Sequence, residues 1–423
     1  MLTLVSHSAN LFWMPPETTD DAASPETDDL GLVAFRAEVR SFLDGVPDLL
    51  AGTSDPIDIA RRYRSALFDA GLAALDYPVE YGGRGLDRHF LDAFRQEATG
   101  RVPPEISHVY GIGTDMCLPT IRDHGDTALK ERFLRSGLTG EEIWCQLYSE
   151  PGAGSDLAGL TTRAVLDGDE WVVTGQKVWT SGAQHSDFGI LLARTDWDVP
   201  KHRGISMLVL PIRQPGVEVR PLRQMTGVAQ FNEVFMDGAR IPADWVVGAA
   251  GDGWRMAVAL LVHERSSIGA GGGRQPIPTG RLIELARRHA RTSDPLVRQE
   301  LANLHIGTRI IRWLNQRDDV HPSVTKLWRS RQGRAAAAVA ARLAFPGGPA
   351  WVGESIGDTE PDGFDDPDVS HWAYGILDAC AHSLGGGTDE IQRNTLGERV
   401  LGLPREPALD RDVPFSQVPR TGG

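Results

Sequence analysis

The sequence has few cysteines, and their spacing excludes two classes of protein. Its 423 residues include three, Cys117, Cys145 and Cys380, and no CxxC pair. An odd number of cysteines at wide spacing argues against both a disulfide framework and a zinc site. We therefore expect no bound metal and a reducing, cytoplasmic setting.

Basic residues and long apolar runs are also scarce. Lys and Arg total 43 against 57 Asp and Glu, which gives a net charge of −14. This balance argues against a nucleic acid or an anionic membrane as the main partner, although it leaves room for a local basic pocket. No stretch reaches the length of a membrane span, and the first eight residues lack the basic and apolar regions of a signal peptide.

The distribution of apolar residues predicts helices, then strands, then helices. Leu32, Phe35, Val39 and Phe42 recur at helical spacing, and 127–134 is a second amphipathic helix. Short β-rich runs follow between residues 145 and 253, and the helical period returns from Trp254 onward. We predict an α+β protein with these parts: a flexible N-terminal segment 1–29, a helical domain 30–144, an antiparallel β domain 145–253, a helical bundle 254–405 and a C-terminal tail 406–423.

Turn residues separate the predicted strands of the β domain. The strands are predicted at 171–174, 189–193, 207–210 and 232–236. Asp167-Gly168-Asp169 and Asp237-Gly238 are typical of hairpin turns. In the last region, helices are predicted over 295–317 and over an Ala-rich stretch from Lys326 to Phe345, followed by a loop to about Asp368.

Two segments indicate a ligand with a flat ring and a phosphate tail. The loop Ser149-Glu150-Pro151-Gly152-Ala153-Gly154-Ser155-Asp156 combines hydroxyls with glycines that let a backbone approach a ligand, and its N–H groups suit an anion. The run Gly175-Gln176-Lys177-Val178-Trp179-Thr180-Ser181 adds an indole beside hydroxyls. Together they favour a flavin dinucleotide, FAD. Each segment alone would more often be a turn or a core tryptophan, and the loop lacks the third glycine of a dinucleotide fingerprint.

These segments resemble the flavin-binding segments of the acyl-CoA dehydrogenase family. The run 385–394, Gly-Gly-Gly-Thr-Asp-Glu-Ile-Gln-Arg-Asn, with 398–404, resembles the closing signature of that family, and 78–83 resembles part of its N-terminal domain. The resemblance covers residues from about 30 to about 405. It implies an N-terminal helical domain, a middle β domain and a C-terminal four-helix bundle.

The resemblance also implies roles for individual residues. Ser155 would meet both the pyrophosphate region of FAD and the acyl-CoA substrate, and Arg265 and Gly386 would lie at the substrate. The residues implied to contact FAD are Gln146, Tyr148, Ser149, Gly154, Ser155, Trp179, Ser181, Thr388 and Glu390. Taken alone, the glycine run before Thr388 would be a flexible turn between helices.

Two departures from the family pattern concern the active site. Many members carry a glutamate base directly before the Gly-Thr of the closing signature, where this chain has Gly386. The Arg-x-x-Phe pair that often grips the cofactor of a neighbouring subunit is absent between Gly269 and Arg298. Glycine has no group that accepts a proton, so the base must come from elsewhere.

Glu264 is the candidate base. It falls three and four residues from Leu260, Leu261 and Ile268, on an apolar helical stripe. We expect the loss of solvation there to raise the pKa of its carboxyl group toward a range useful for a general base. Some family members are similar in taking their base from this helix. The alternative is a structural ion pair with an arginine, and the adjacent His263 is predicted to be solvent-facing or structural.

The resemblance implies a reaction and partners. An FAD-dependent acyl-CoA dehydrogenase would form a trans-2-enoyl-CoA and pass electrons to an electron-transfer flavoprotein, as a homodimer or homotetramer. The thioester carbonyl would be polarised by the flavin ribityl hydroxyl and a backbone N–H near Gly386. Two alternatives remain: a related flavin oxidase or monooxygenase, and a non-catalytic subunit of a heteromeric dehydrogenase.

Overall fold

Among the residues that the structure describes, the N-terminal region contains six α-helices. A computed structural model describes residues 25–269, 277–315, 317, 319–344, 369–408 and 410–419. A π-helical turn, Gly113–Cys117, joins the fourth and fifth helices. The six are α1 (Pro25–Leu49), α2 (Pro56–Asp69), α3 (Arg88–Ala98), α4 (Pro104–Ile112), α5 (Leu118–His124) and α6 (Thr127–Thr139).

Capping residues and apolar spacing explain where these helices begin and which face they bury. Phe35 and Val39 are buried on the predicted face of α1. The Asp126 carboxylate accepts a hydrogen bond from the N–H of Leu129 at 2.8 Å, which fixes the start of α6. The helices predicted over 32–42 and 127–134 are therefore confirmed. Helix α1 begins at Pro25, so residues 25–29 are helical; residues 1–24 of the predicted flexible segment lie outside the described residues.

The middle region is a seven-stranded sheet in the order β1-β4-β2-β3-β7-β6, with β5 also paired to β4. Most neighbours are antiparallel, but β1 runs parallel to β4, and β2 meets β4 at one parallel pair, Arg163 with Arg194. The four predicted strands lie within β3, β4, β5 and β7. The strands are β1 (Trp144–Leu147), β2 (Arg163–Asp167), β3 (Glu170–Ser181), β4 (Phe188–Arg194), β5 (Ile205–Pro211), β6 (Val217–Leu222) and β7 (Phe231–Pro242).

The two predicted turns have different outcomes. Gly168 lies in a tight turn between the paired strands β2 and β3, as predicted. The prediction of a turn at Asp237-Gly238 is wrong, because both residues lie within β7. On β3, Val173 pairs with Ala239 and Thr174 with Asp237, so Gly238 is the extra residue of a β-bulge. Its φ of 70° explains why an Asp-Gly pair occurs there.

One apolar core joins the three regions. Leu118 and Phe133 of the N-terminal helices, Ile190 and Met207 of the sheet, and Leu260 of the first C-terminal helix belong to the same buried cluster. All five are fully or almost fully buried. The middle sheet is therefore covered on this side by helices from both ends of the chain, and α7 (Gly253–Gly269) is held against it.

Four of the remaining C-terminal helices share a second core. Leu282, Leu301, Ala340 and Trp372 come from four different helices and belong to one buried cluster. None of the described helices is long and apolar enough to cross a membrane. The predicted loop at 345–368 lies outside the described residues. The helices after α7 are α8 (Thr279–Arg288), α9 (Pro295–Asn315), α10 (Pro322–Leu343), α11 (Val369–Asp378) and α12 (Asp389–Thr395).

Candidate active site

The structure brings the two predicted flavin segments side by side at the ends of β1 and β3. The N–H of Val178 donates to the carbonyl of Ser149 at 2.9 Å. This bond places the Ser149 hydroxyl and the Trp179 indole on neighbouring backbone segments, although they are 30 positions apart in sequence. Ser181 ends β3 on the same strand.

A buried ion pair locks these two segments together. The Lys177 ammonium donates to the carbonyl of Tyr148 and to Glu150 Oε1, both at 2.9 Å. The Lys177 side chain is 0% exposed and that of Glu150 is 5% exposed. Glu150 also accepts from the N–H groups of Thr161 and Thr162. Burial alone would raise the pKa of Glu150, but Lys177 and these donors lower it to about 2.

The loop after Glu150 is closed at its base and open at its tip. The backbones of Glu150 and Ala153 exchange hydrogen bonds in both directions, at 3.1 and 3.0 Å. Gly152, Gly154 and Ser155 are exposed. A Cβ atom at either glycine would meet nothing within 4 Å, so packing within the protein does not require glycine there. The backbone at the tip is instead accessible to a ligand.

Trp179 is held in an unusual backbone conformation. Its φ is 61°, and it lies where the pairing of β3 with β7 slips between Lys177 and Thr180. A large non-glycine residue in the left-handed region is rare, and such strain often accompanies a functional site. The indole remains 57% exposed, and its ring packs edge-on against Phe231 at 5.7 Å. The bulge thus presents a flat apolar surface to solvent.

Tyr148 connects the flavin segment to helix α7. Its ring lies in the same core as Met256 and Leu260. Its hydroxyl is buried, and it has no hydrogen-bond partner of standard geometry among the residues that the structure describes. Burial raises the pKa of Tyr148 well above its ordinary value, and Cys117 and the charge of Glu264 raise it further. Glu264 is half-buried and lies one helical turn beyond Leu260, which belongs to the same core as Tyr148.

His263 contacts a carboxylate on α5, which favours the structural one of its two predicted alternatives. Its Nε2 lies 3.1 Å from Asp123 Oδ2, and Arg122 donates to the same carboxylate. Burial would raise the pKa of Asp123, but the hydrogen bonds from His263 and Arg122 lower it well below its ordinary value. This contact fixes α7 to α5. The side chain of Arg265 lies outside the described residues.

The third predicted segment lies on the C-terminal helices. The Thr388 hydroxyl caps α12 by accepting from the N–H of Ile391 at 3.2 Å. Glu390 is exposed and pairs with Arg393 at 3.1 Å. Gly386 has a φ of 67°, a conformation that a glutamate would adopt only with strain. The local backbone therefore suits a glycine at this position.

Family models and a curated relative agree on the class of this protein. A model of the acyl-CoA dehydrogenase N-terminal domain matches residues 32–141, and a model of the acyl-CoA dehydrogenase middle domain matches residues 145–239. Acyl-CoA dehydrogenase IpdE1 of Mycobacterium tuberculosis is 42% identical over 88% of this chain and 98% of its own length. The chain belongs to the acyl-CoA dehydrogenase family and is an oxidoreductase of that family.

Solved structures share the fold over nearly the whole chain. The Tcur3481-Tcur3483 steroid ACAD has a TM-score of 0.71 and 27% identity, over 89% of this chain and 98% of that one. The ChsE4-ChsE5 complex from Mycobacterium tuberculosis has a TM-score of 0.69 and 25% identity, over 91% of this chain and 99% of that one. These comparisons confirm the family and the fold class that the motifs predict.

Proposed function

We propose that this protein is an FAD-dependent dehydrogenase that oxidises an acyl-CoA thioester between its alpha and beta carbons. The observation that carries the proposal is the joining of the Ser149 and Trp179 segments by the Val178 hydrogen bond and the Lys177–Glu150 pair. This arrangement joins a segment with hydroxyls and an open glycine loop to a segment that exposes a flat indole. Helix α7, which carries Glu264, packs in the same core as Tyr148 of the first segment.

The residues present fit FAD. The exposed Trp179 indole offers an apolar face of the kind that a flavin ring requires, and the loop at Gly154 offers backbone N–H groups for the pyrophosphate. Ser149 and Ser181 would supply hydroxyls beside the ring. By family resemblance, Thr388 and Glu390 would complete the site from the C-terminal segment.

Glu264 would act as the general base that removes the proton alpha to the thioester. Bound FAD would supply the hydride acceptor for the beta carbon, which leaves a trans-2-enoyl-CoA. The backbone N–H near Gly386 would polarise the thioester carbonyl, which needs no side chain at that position.

We further propose an oligomeric assembly and an electron-transfer flavoprotein as acceptor. Helix α9 exposes Leu296, Ile306 and Trp313, each more than half exposed, which is the pattern of a face covered by another subunit. A homodimer or homotetramer is the assembly that the family resemblance favours. The solved ChsE4-ChsE5 relative is a complex of two named chains. The experiment must therefore distinguish a homo-oligomer from an assembly with a second type of subunit.

Reconstitution and anaerobic reduction test the proposed reaction. The purified chain, incubated with FAD and freed of excess cofactor, should retain a yellow flavin. Mixing with a panel of straight-chain, branched and steroid-type acyl-CoA thioesters should bleach the flavin with at least one of them. An electron acceptor should then restore the colour.

Each other outcome contradicts one part of the proposal. If the purified protein does not bind FAD, the assignment of FAD as its cofactor is wrong. Flavin that is retained but not bleached by any thioester contradicts the reaction. Rapid peroxide formation in air without another acceptor favours the oxidase alternative. A colourless monomer that gains FAD only with a second protein favours the heteromeric alternative.

A further inference from the structure

The C-terminal residues 410–419, here called the C-terminal strap, lie against the middle domain. The N–H of Phe415 donates to the carbonyl of Val199 at 2.9 Å, and the N–H of Ser416 donates to that of Trp197 at 2.8 Å. The Ser416 hydroxyl also lies 3.0 Å from Asp198. These contacts attach the end of the chain to the segment between β4 and β5, where sequence patterns predict a tail only.

Phe415 anchors the strap over a buried arginine. It is 5% exposed, and the guanidinium carbon of Arg194 lies 3.5 Å from the centre of its ring. The ring of Trp197 packs beside it at 5.3 Å. Since Arg194 is completely buried, the phenyl ring forms part of the cover that excludes water from this charge.

Arg194 in turn holds the segment that follows the glycine loop. Its Nη2 donates to the carbonyl of Ala158 at 2.7 Å, and its Nε donates to that of Leu160 at 3.1 Å. Both carbonyls belong to the turn just after Asp156, where the N–H of Gly159 donates to the Asp156 carbonyl. The strap thus reaches the loop through one side chain.

A second link between the strap and the loop passes through Lys201. The Lys201 ammonium lies 2.7 Å from Asp410 of the strap and 3.1 Å from Asp156 of the loop. The strap, Arg194, the loop and Lys201 therefore form a closed ring of contacts. The exposed residues Gly154 and Ser155 directly precede Asp156 in this ring, and Asp410 and Phe415 of the strap, which complete the ring, lie more than 200 positions later in the chain.

We propose that the C-terminal strap is a positioning element that contributes to acyl-CoA affinity. It holds residues 154–160, which are the end of the glycine loop and the turn after it, in their ligand-binding conformation. The ligand half of this proposal rests on the proposed function, in which Ser155 meets the substrate. The strap itself does not contact the reacting atoms. Its loss should therefore weaken binding of the thioester and leave the chemical step largely intact.

The test compares Phe415→Ala and Asp410→Asn with the control Gln417→Ala. Gln417 is exposed, and its backbone N–H bond to Pro414 survives the substitution. Hydrogen exchange of a peptide spanning 154–162 should be faster in both strap variants and unchanged in the control. The KM for a good acyl-CoA should rise about tenfold in Phe415→Ala, with kcat within about twofold of the wild type. Asp410→Asn leaves the buried Phe415 in place, so it tests the strap even if Phe415→Ala does not fold.

The outcomes separate this proposal from the proposed function. Unchanged exchange of the loop in both strap variants overturns the proposal. Faster exchange with an unchanged KM overturns it too, because the strap would then support the fold alone. If the wild type oxidises no thioester but both strap variants loosen the loop and weaken FAD retention, the positioning role stands and the proposed reaction fails.

Discussion

Replacing Lys177 by methionine should destabilise the protein and loosen the flavin site. Removal of one partner of a buried ion pair costs about 3–5 kcal/mol, because the remaining charge stays desolvated. Glu150 would keep its hydrogen bonds from Thr161 and Thr162, which places the expected loss near the lower limit, about 3 kcal/mol. The carbonyl of Tyr148 would lose its donor, so FAD retention should fall as well.

The pH dependence of this loss follows from Glu150. Its pKa lies at about 2 in the folded protein against an ordinary value of 4.5, with burial opposing and Lys177 favouring the shift. Because the pKa of Glu150 is lower in the folded protein, its ionised carboxylate stabilises the folded state at pH values above 4.5. This stabilisation is lost as the pH falls toward about 2. The shift corresponds to about 3 kcal/mol. The difference in free energy of unfolding between the wild type and Lys177→Met should therefore be less than half as large at about pH 3 as at about pH 7.

A double-mutant cycle with Glu150→Gln measures the pair itself. Urea unfolding followed by circular dichroism, at equal FAD concentration for every variant, gives the four free energies. The double variant should be about 2 kcal/mol more stable than the sum of the single losses predicts. Lys130→Met, at a half-exposed lysine on α6, should stay within about 0.5 kcal/mol of the wild type. A loss below about 1 kcal/mol in Lys177→Met, or a coupling near zero, would refute the reasoning.

Three further predictions follow from other contacts. Gly175→Ala should cost clearly more stability than Gly238→Ala, because a Cβ at 175 would lie 2.5 Å from the Thr162 hydroxyl, whereas one at 238 meets nothing within 4 Å and adds only the strain of its φ. Thermal unfolding of the two variants measures this, and equal losses would contradict it. Replacing Trp179 and Ser181 together by alanine should weaken FAD retention in equilibrium dialysis without changing the circular dichroism spectrum; retention equal to that of the wild type would count against the site. Light scattering of the purified chain should give a dimer or larger species, and a monomer at working concentration would count against the covered α9 face.

Local patterns predicted much of the fold because they report local physics. The spacing of Phe35 and Val39 identified the buried face of α1, and Asp167-Gly168-Asp169 identified a hairpin turn. The same kind of pattern failed at Asp237-Gly238, because a left-handed glycine serves a β-bulge as well as a turn. Only the pairing of β7 with its neighbour decides between the two.

The parts of the site that sequence reasoning missed depend on long-range pairing. Lys177 and Glu150 both stand in the predicted flavin segments, yet their contact requires the ends of β1 and β3 to meet. The available signal was a lysine followed directly by an apolar residue, Val178, within a predicted ligand-binding segment. Phe415 and Asp410 gave none, since they contact residues about 200 positions earlier, through the packing of the finished middle domain.

The substitution Glu264→Gln tests the central claim most directly. Glutamine keeps the size and most of the hydrogen bonding of glutamate but cannot accept the substrate proton. Glu284→Gln, at an exposed carboxylate on α8 that pairs with Arg288, is the matched control. In anaerobic stopped-flow measurements with a good acyl-CoA substrate, Glu264→Gln should bind FAD and thioester normally but bleach the flavin at least about 10²-fold more slowly, and the control should match the wild type. Bleaching of Glu264→Gln at a rate near that of the wild type would contradict the assignment of the base.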